Sequence, residues 1–311
     1  MKRVLVPLLT LACGAAARAA EPITLAGPAM GTTYRVILAE PIAGMAAGAV
    51  HRDIDRVLAR LDQGLSTWLD DSDATRFNRA AAGEWFEIGH HLADVLDVAQ
   101  RVHDESGGAF DVTAGPLVRL LRTGDEPSAA RRADVRGRVG MQLIDARRST
   151  PDHAAAVRKQ ADGVELDLGG IGPGYTVDRI GERLVELGST NHLVELGGEV
   201  RAWGSRSADQ PWRVRLRGTG DGEGSIELRT GTALATASVG PGRTLVDPRT
   251  ARTIPGPPRS VTVRADTCAR ADAWAVAALI LDLEPAADGI VTVPREPSTQ
   301  AAPPAATRAA P

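Results

Sequence analysis

The sequence predicts an α+β fold in which antiparallel strands pack against helices. Some segments carry apolar residues at helical spacing, and others alternate apolar and polar residues as strands do. The alternating segments mostly follow one another through short turns, which argues against a regular βαβ repeat. The chain has 311 residues, of which 43 % are hydrophobic, so it is long enough to bury a sizeable core.

The N-terminal half is predicted to contain one strand and two amphipathic helices. Residues 30–38, MGTTYRVIL, alternate and are β-branched, which is typical of a strand. The spacing of apolar residues predicts helices over 46–66 and 89–108, the second ended by Gly107 and Gly108. The other segments are predicted as a polar stretch with turns and a short helix (66–88), an initially extended segment (110–122) and an exposed helix or lid (124–140).

The C-terminal half is predicted to be richer in strands. Two segments have a helical pattern, 175–189 and 270–283, and the body of the second is mostly apolar. The sequence NHLVELGGEVRAWG predicts two strands joined at Gly197 and Gly198. Alternation predicts further strands over 164–170, 212–218, 224–238 and 260–265.

The two termini are predicted to lie outside the folded domain. Residues 1–20 have a basic start, an apolar run and the A-x-A sequence of Ala17, Arg18 and Ala19, as in a secretory signal peptide. Residues 295–311 form a Pro/Ala-rich tail that is predicted to be disordered. The folded domain is therefore expected over 21–294, in a periplasmic or exported protein, and Cys13 allows anchoring to the inner membrane as a lipoprotein.

Composition and motif searches exclude several classes of protein. The net charge is −3 and no basic stripe carries interleaved aromatic residues, so no nucleic-acid partner is expected. The six histidines form no metal-binding motif, which argues against a structural zinc site. The segment TASVG around Ser238 resembles a nucleophile elbow only loosely, and its context is a strand running into a loop. After removal of the signal peptide Cys268 is the only cysteine, so no internal disulfide is expected.

A glycine-rich segment, LDLGGIGPGYTVD at 166–178, is the strongest single indication of a ligand site. Glycines allow the backbone to approach a ligand closely, and a helix that starts just after them presents free N–H groups to an anion. The segment matches neither a P-loop nor the dinucleotide fingerprint. It predicts an anion-binding loop at a helix start, flanked by Asp167 and Asp178 and with Pro173 in the first turn; the alternative is a tight strand-to-helix turn.

Seven segments in order along residues 29 to about 283 resemble the ApbE family of FAD:protein FMN transferases. They are AMGT, LSTWLDDSDATRFN, FDVTAGPL, LDLGGIGPGYTVD, HLVELGGEVRAWG, LVDPRT and ADAWAVAAL. The resemblance implies a T-fold-like core in a periplasmic, often lipid-anchored protein. It also implies Mg²⁺-dependent cleavage of FAD, transfer of the FMN half to a Thr or Ser hydroxyl of an exported partner, and release of AMP. Some similar proteins only hydrolyse FAD to FMN and AMP.

The resemblance also implies the site residues. The metal ligands correspond to the carbonyl of Gly172 and the carboxylate of Asp272. Asp247 and Asp272 are expected in the catalytic set. Independently of the resemblance, Arg243, beside Thr244, is expected to act as a substitute cation for the missing family groups. The residues expected to bind FAD are Met30, Trp68 (usually Tyr), Asp111, Asp167, Gly169, Gly170, Gly172, Gly174, Asp178, Gly197 and Gly198.

This chain departs from the family pattern near the expected chemistry. Pro173 replaces a lysine, Val276 replaces a Thr or Ser metal ligand, and Thr244 replaces a histidine. Two hypotheses follow: a flavin transferase with substitute groups, or a relative that binds FAD without transferring FMN or acts as an FAD pyrophosphatase. Retention of Asp167, Asp178, Asp247 and Asp272 as a set favours the transferase.

Overall fold

The computed structural model describes residues 21–121, 127–151, 153–207, 210–215, 225–240, 245–254, 256–286 and 290–293. The predicted signal peptide with Cys13, and the predicted tail 295–311, lie outside these residues and stay predictions. Within the described ranges, no helix combines the length and apolar character needed to cross a membrane.

Helices and strands alternate irregularly along the chain. The seven helices of the described residues are α1 (Ala47–Leu65), α2 (Asp73–Arg79), α3 (His90–Glu105), α4 (Gly115–Leu121), α5 (Ala129–Arg136), α6 (Gly172–Glu186) and α7 (Cys268–Leu281). The strands are β1 (Ile23–Ala29), β2 (Thr32–Leu38), β3 (Phe86–Glu87), β4 (Ile144–Arg147), β5 (Ala156–Lys159), β6 (His192–Leu196), β7 (Glu199–Trp203), β8 (Trp212–Arg215), β9 (Ser225–Leu228), β10 (Thr232–Val239), β11 (Val246–Asp247), β12 (Arg252–Thr253), β13 (Arg259–Ala265) and β14 (Ile290–Thr292).

A seven-stranded sheet forms the centre of the molecule, in the order β1-β2-β6-β7-β10-β13-β14. Its strands pair antiparallel except for β13 with β14, which are parallel. Smaller sheets are formed by β3-β5-β4, β8-β9 and β11-β12. The predicted α+β class with antiparallel strands and packed helices is confirmed.

Two tight turns lie side by side at one end of the central sheet. Met30 and Gly31 join β1 to β2 with φ of 48° and 76°, the backbone that a two-residue hairpin of type I′ requires. Gly197 and Gly198 join β6 to β7, also with positive φ. Because β2 pairs with β6 through Tyr34 and Leu196, both turns lie at the same end of the sheet, where residues from several motifs meet.

The two faces of the central sheet are covered differently. Helices α6 and α7 pack against one face, with α1 and α3 outside them. Helix α7 buries a series of alanines, whose small side chains let its backbone approach the sheet and α6 closely. The hairpin β8-β9 covers part of the other face, where Trp212 and Leu228 pack against Leu193, Val200 and Leu234.

The predicted strand over 164–170 is wrong, except for one bridge between Glu165 and Ala114. Its backbone bonds instead to loops and side chains: Leu166 exchanges two hydrogen bonds with the Asn78 side chain, and the Asp167 N–H donates to Val112 O. The extended start predicted at 110–122 is also wrong, because a turn leads directly into α4. The exposed helix expected within 124–140 is confirmed as α5.

Several short strands were not predicted. Strand β1 reads ITLAGPA, in which Gly27 and Pro28 weaken the strand signal. Strands β3, β4 and β5 have two to four residues each, too short for a two-residue period to stand out.

We expect the fold to lose stability in mild acid because His192 is buried as the neutral imidazole. Its Nδ1 lies 3.0 Å from Ser189 Oγ and its Nε2 lies 3.2 Å from Gly181 O. Burial lowers the pKa of His192 to about 4, although the bond to Gly181 opposes this. The unfolded chain takes up the proton near pH 6.5, so stability is complete above that pH and falls as the pH approaches 4.

Urea midpoints measured between pH 7.5 and 5 test this expectation. His192→Asn should flatten the decline. Replacement of the exposed His153 by glutamine is the control and should leave the decline unchanged. A wild-type midpoint that stays constant over this range would contradict the prediction.

Candidate active site

The glycine-rich loop runs directly into α6, and Pro173 occupies the first turn of that helix, as predicted. The N–H of Gly174 donates to Asp272 Oδ2 at 3.0 Å. A Cβ added to Gly174 would lie 2.3 Å from the backbone oxygen of Cys268 and 2.8 Å from Asp272 Cβ. Gly174 is therefore required where α6 meets α7. The sequence analysis assigns the glycines to the close approach of a ligand. At Gly174 the close contact is instead with the backbone of α7.

The first part of the loop packs on both α7 and the segment that carries Asp111. A Cβ on Gly170 would lie 2.8 Å from Val276 Cγ2 and 3.5 Å from the ring of Phe110. Asp167 Oδ1 accepts the N–H of Gly169 at 2.9 Å, which closes the turn. Val276, at the position where the family has a hydroxyl, thus contacts the loop itself with a methyl group.

Met30 reaches the start of α6 from the β1-β2 turn. The hydroxyl of Thr176 lies 2.9 Å from the carbonyl oxygen of Gly172 and 3.2 Å from Met30 Sδ. Met30 and the loop, 142 residues apart by the numbering of Met30 and Gly172, are therefore neighbours. The Gly172 carbonyl accepts the Thr176 hydroxyl and, as the first carbonyl of α6, also accepts a backbone N–H of the helix, so its expected role as a metal ligand stays a prediction.

Asp272 is a buried acid, and no cation of the described residues forms an ion pair with it. The residue is 5 % exposed, and Gly174 is the hydrogen-bond donor to its carboxylate. Burial raises the pKa of Asp272 well above its usual range, and the nearby carboxylate of Glu199 raises it further. A carboxylate in this environment favours either a proton or a bound cation.

Asp178 is placed differently, although it is equally buried. Its two oxygens accept the N–H groups of Cys268 and Ala269 at 3.0 Å each, and Arg201 pairs with it at 2.6 Å. The carboxylate therefore caps the first turn of α7 and joins it to α6. These partners give Asp178 a structural role, and its expected contact with FAD stays a prediction.

The second hairpin turn borders the same region. A Cβ on Gly197 would lie 3.1 Å from Thr32 Cγ2 and 3.3 Å from Glu199 Oε2. Glu199 is 8 % exposed and faces Asp272 closely enough to affect its pKa. The proximity of Glu199 to Asp272 was not predicted, because the two residues are far apart in the sequence.

Trp68 stands out from the surface with 87 % of its area exposed. Its backbone is nevertheless held, since the N–H groups of Trp68 and Leu69 both donate to Ser66 Oγ at 3.1 Å. The following helix α2 is bonded to the loop through Asn78 and Leu166. An exposed aromatic ring on an ordered turn is suited to stacking on a planar ligand.

A polar cavity of about 220 Å³ lies beside Asp111 and the residues that follow Asp247. It is lined by His103, Gly107, Gly108, Asp111, Arg136, Gly140, Gln142, Pro248 and Arg249. The two motifs FDVTAGPL and LVDPRT, far apart in the sequence, thus meet at one cavity. Sequence reasoning missed His103, Arg136 and Gln142, because none of them belongs to a recognisable motif.

The two aspartates at this cavity are held by different partners. Asp111 Oδ1 accepts from the N–H and the hydroxyl of Thr113, at 2.8 and 2.5 Å. Burial favours a higher pKa for Asp247, but hydrogen bonds from Arg249 outweigh it and lower the pKa of that carboxyl. Ala251, where the family has glycine, adopts a φ of 55°, a left-handed conformation that costs about 1 kcal/mol for alanine.

The donors around Asp272 fit a magnesium ion better than a zinc ion. Within the described ranges, no three His, Cys, Asp or Glu side chains converge on a metal-binding position. Magnesium needs only one or two carboxylates together with carbonyl oxygens and water. Asp272 and the loop carbonyls are donors of that kind. Arg243 and Thr244 lie outside the described residues, so the expected substitute cation stays a prediction.

Comparison with known proteins gives a consistent result. The model of the ApbE family matches residues 30–293. The FAD:protein FMN transferase of Haemophilus influenzae is 31 % identical over 294 residues, which cover 88 % of this chain and 84 % of the relative. The FAD:protein FMN transferase of Escherichia coli K12 is 28 % identical over 286 residues, covering 86 % and 81 %.

Solved structures agree with the sequence comparison. The apo form of the flavinyl transferase ApbE from Pseudomonas stutzeri superimposes with a TM-score of 0.75 at 30 % identity, covering 84 % of each chain. The flavin transferase ApbE from Vibrio cholerae gives a TM-score of 0.72 at 28 % identity, covering 84 % of this chain and 87 % of that one. The predicted resemblance and the predicted transferase class are confirmed: the chain belongs to the ApbE family.

Proposed function

We propose that this protein transfers the FMN half of FAD to a Thr or Ser hydroxyl of an exported partner protein, with Mg²⁺ and with release of AMP. The observation that carries this proposal is the buried Asp272 carboxylate, which bonds to Gly174 at the start of α6 and lies beside the glycine-rich loop. A pyrophosphate brought to this loop would meet a helix N-terminus and a carboxylate able to hold a divalent cation.

The reaction exchanges one phosphorus–oxygen bond for another. The acceptor oxygen forms a bond to the phosphorus of the FMN half and loses its proton. The bond between that phosphorus and the bridging oxygen breaks, and AMP leaves with the bridging oxygen. Because charge builds up on the phosphate oxygens, such a reaction depends mainly on positioning and on neutralisation of that charge.

The residues of this chain supply the positioning. Asp272 and the Gly172 carbonyl would hold Mg²⁺, which when bound would offset the charge of the pyrophosphate. Val276 contributes no oxygen, so water would complete the coordination. Met30 lies close to Thr176 near the start of α6, where it would contact the flavin end of the substrate. The cavity beside Asp111 would receive the adenosine end.

Trp68 would stack on the isoalloxazine ring. We expect Trp68→Ala to weaken FAD binding by about five- to 150-fold, in line with the roughly 1–3 kcal/mol that stacking of a base on an aromatic residue contributes. The free energy of unfolding should stay within about 0.5 kcal/mol, because the side chain is exposed. Quenching of flavin fluorescence measures the affinity, and urea denaturation measures the stability.

Trp68→Tyr is the matched control and should bind FAD nearly as well as the wild type. Equal FAD affinity of the alanine variant and the wild type would contradict a stacking role.

Val276→Thr tests the coordination directly. The substitution offers a hydroxyl at the point where Val276 contacts Gly170, and we expect it to lower the Mg²⁺ concentration needed for half-maximal AMP release. Val276→Ala, which offers no oxygen, is the control. If the threonine and alanine variants respond to Mg²⁺ alike, a metal ion at this position is disfavoured.

The function itself is tested with purified protein, FAD and an acceptor peptide containing threonine, with and without Mg²⁺. Mg²⁺-dependent AMP release with peptide-bound FMN supports the transferase. AMP with free FMN alone indicates the FAD pyrophosphatase. Tight FAD binding without AMP indicates a relative that no longer performs the chemistry.

Export belongs to this proposal as well. Cleavage after residue 20 in the producing cell, or lipid attached to Cys13, would support a periplasmic or membrane-anchored location. Protein that retains residues 1–20 in the cytoplasm would contradict it.

A further inference from the structure

The cavity beside Asp111 contains a cation that the expected reaction does not assign. Arg136, the last residue of α5, lies in its wall. Its Nη1 donates to Val139 O at 2.9 Å and its Nε donates to Arg249 O at 3.3 Å. Both acceptors are neutral carbonyls, so these bonds orient the guanidinium group without neutralising its charge.

The second arginine of the cavity differs in this respect. Arg249 pairs with both oxygens of Asp247, at 2.9 and 3.0 Å. Its charge is therefore offset by a carboxylate. Among the described residues, Arg136 takes part in no ion pair, whereas the exposed Arg131 of the same helix pairs with Asp134 at 3.1 Å.

The lining of the cavity also includes a carboxylate. The Asp111 side chain is 3 % exposed, and its Oδ2 lies 3.4 Å from His103 Nδ1. A phosphate in the cavity would be repelled by Asp111. A neutral heterocycle with a donor on one edge and an acceptor on the other would instead satisfy both Asp111 and Arg136.

We propose that Arg136 is a specificity-determining residue that donates a hydrogen bond to an acceptor nitrogen of the adenine ring of FAD, while Asp111 accepts from the adenine amino group. The proposal rests on the proposed function, because it assumes that FAD is the substrate. Adenine has both kinds of edge, and a guanidinium group is a planar donor suited to a purine. The cavity volume of about 220 Å³ is large enough for a two-ring base.

The test compares Arg136→Gln with the matched control Arg131→Gln in the full-length protein. Binding of adenosine, AMP, FMN and FAD is measured by isothermal titration calorimetry. We expect Arg136→Gln to weaken the binding of adenosine and of AMP by the same factor, about tenfold or more, where tenfold corresponds to about 1.4 kcal/mol. The binding of FAD should weaken similarly, and the affinity for FMN should not change. The Arg131→Gln variant should bind all four ligands as the wild type does.

Two outcomes would overturn the inference. If Arg136→Gln weakens the binding of AMP but leaves the affinity for adenosine unchanged, Arg136 contacts a phosphate and does not contact the base. If the two variants bind adenosine alike, Arg136 has no role in recognition. Should the glutamine variant unfold, Arg136→Lys keeps the charge but loses the planar donor, and the same comparison with adenosine applies.

Failure of the proposed function gives a different result. A wild-type protein that binds neither FAD nor AMP would overturn both proposals. A wild-type protein that binds FAD and releases AMP, with an Arg136→Gln variant of equal affinity, would overturn only the assignment of Arg136.

Discussion

Replacing Asp272 by asparagine is expected to abolish FMN transfer and at the same time to stabilise the metal-free protein. The carboxylate is the only side chain assigned to the metal ion, and loss of one positioned charge-stabilising group typically costs about 10²–10³ in rate. AMP release from FAD, measured with saturating Mg²⁺, should fall by at least that factor. The free energy of unfolding should nevertheless rise, because a buried carboxylate facing Glu199 is replaced by a neutral amide.

The pH dependence of this effect has a definite sign. Burial and Glu199 raise the pKa of Asp272 in the folded protein, so folding favours the protonated carboxyl. The contribution of Asp272 to stability is complete below the usual pKa of an aspartate and is lost as the pH rises through the higher folded pKa. The stabilisation by Asp272→Asn should therefore be largest at alkaline pH. Addition of MgCl2 should raise the Tm of the wild type and leave that of the variant unchanged.

Asp178→Asn is the matched control, because Asp178 is equally buried but has Arg201 and two N–H groups as partners. Breaking that set should destabilise the protein by about 3 kcal/mol or more. If both asparagine variants lose stability, Asp272 is a structural residue with a cation partner, and its assignment to a metal ion is wrong.

Replacing Gly174 by alanine is expected to destabilise the protein by about 3 kcal/mol or more, near the upper end for an overpacked site. The added methyl would lie 2.3 Å from a backbone oxygen and 2.7 Å from a backbone carbon of Cys268, which cannot rotate away as a side chain can. Relief requires α6 and α7 to separate, and this would break the bond from Gly174 to Asp272. Urea denaturation at pH 7.5 measures the loss.

Gly172→Ala provides the control within the same loop. Its added methyl would come no closer than 3.9 Å to Leu168 Cβ, and alanine favours a helix by about 1 kcal/mol over glycine. This variant should therefore retain its stability. Equal stability of the two alanine variants would show that the contact between α6 and α7 is not tight.

Sequence reasoning could predict the elements that depend on local chemistry. Helices α1, α3, α6 and α7 follow from the spacing of apolar residues, and the turn at Gly197 and Gly198 follows from its two glycines. The strand predicted at 164–170 was wrong, although Val164, Leu166 and Leu168 are buried as the alternation suggests. Its side chains are buried, but Asn78 and Val112 satisfy its backbone groups in place of a neighbouring strand.

The sequence predicted which motifs form the candidate site. It did not predict the hydrogen-bond and ion-pair partners of the residues in them. The order of seven segments was sufficient to identify the family, and it placed Met30, Asp272 and the glycine-rich loop in one site. The structural partners of the two buried aspartates could not be predicted from the sequence. Both residues lie within helices, and only their neighbours in space make Asp178 a helix cap paired with Arg201 and leave Asp272 without an ion pair among the described residues.

By itself, the sequence determined the family, the α+β class, the turn at Gly197 and Gly198 and the position of Pro173 in the first turn of α6, since these depend on residues close together in the chain. The tertiary structure decided the role of each charged group. Gly174 and Asp272, which are hydrogen-bonded, are 98 residues apart in the sequence. Arg136 and Arg249, which are also hydrogen-bonded, are 113 residues apart. Burial, hydrogen bonding and pKa depend on which distant segments come into contact, and packing of the helices against the sheet determines those contacts.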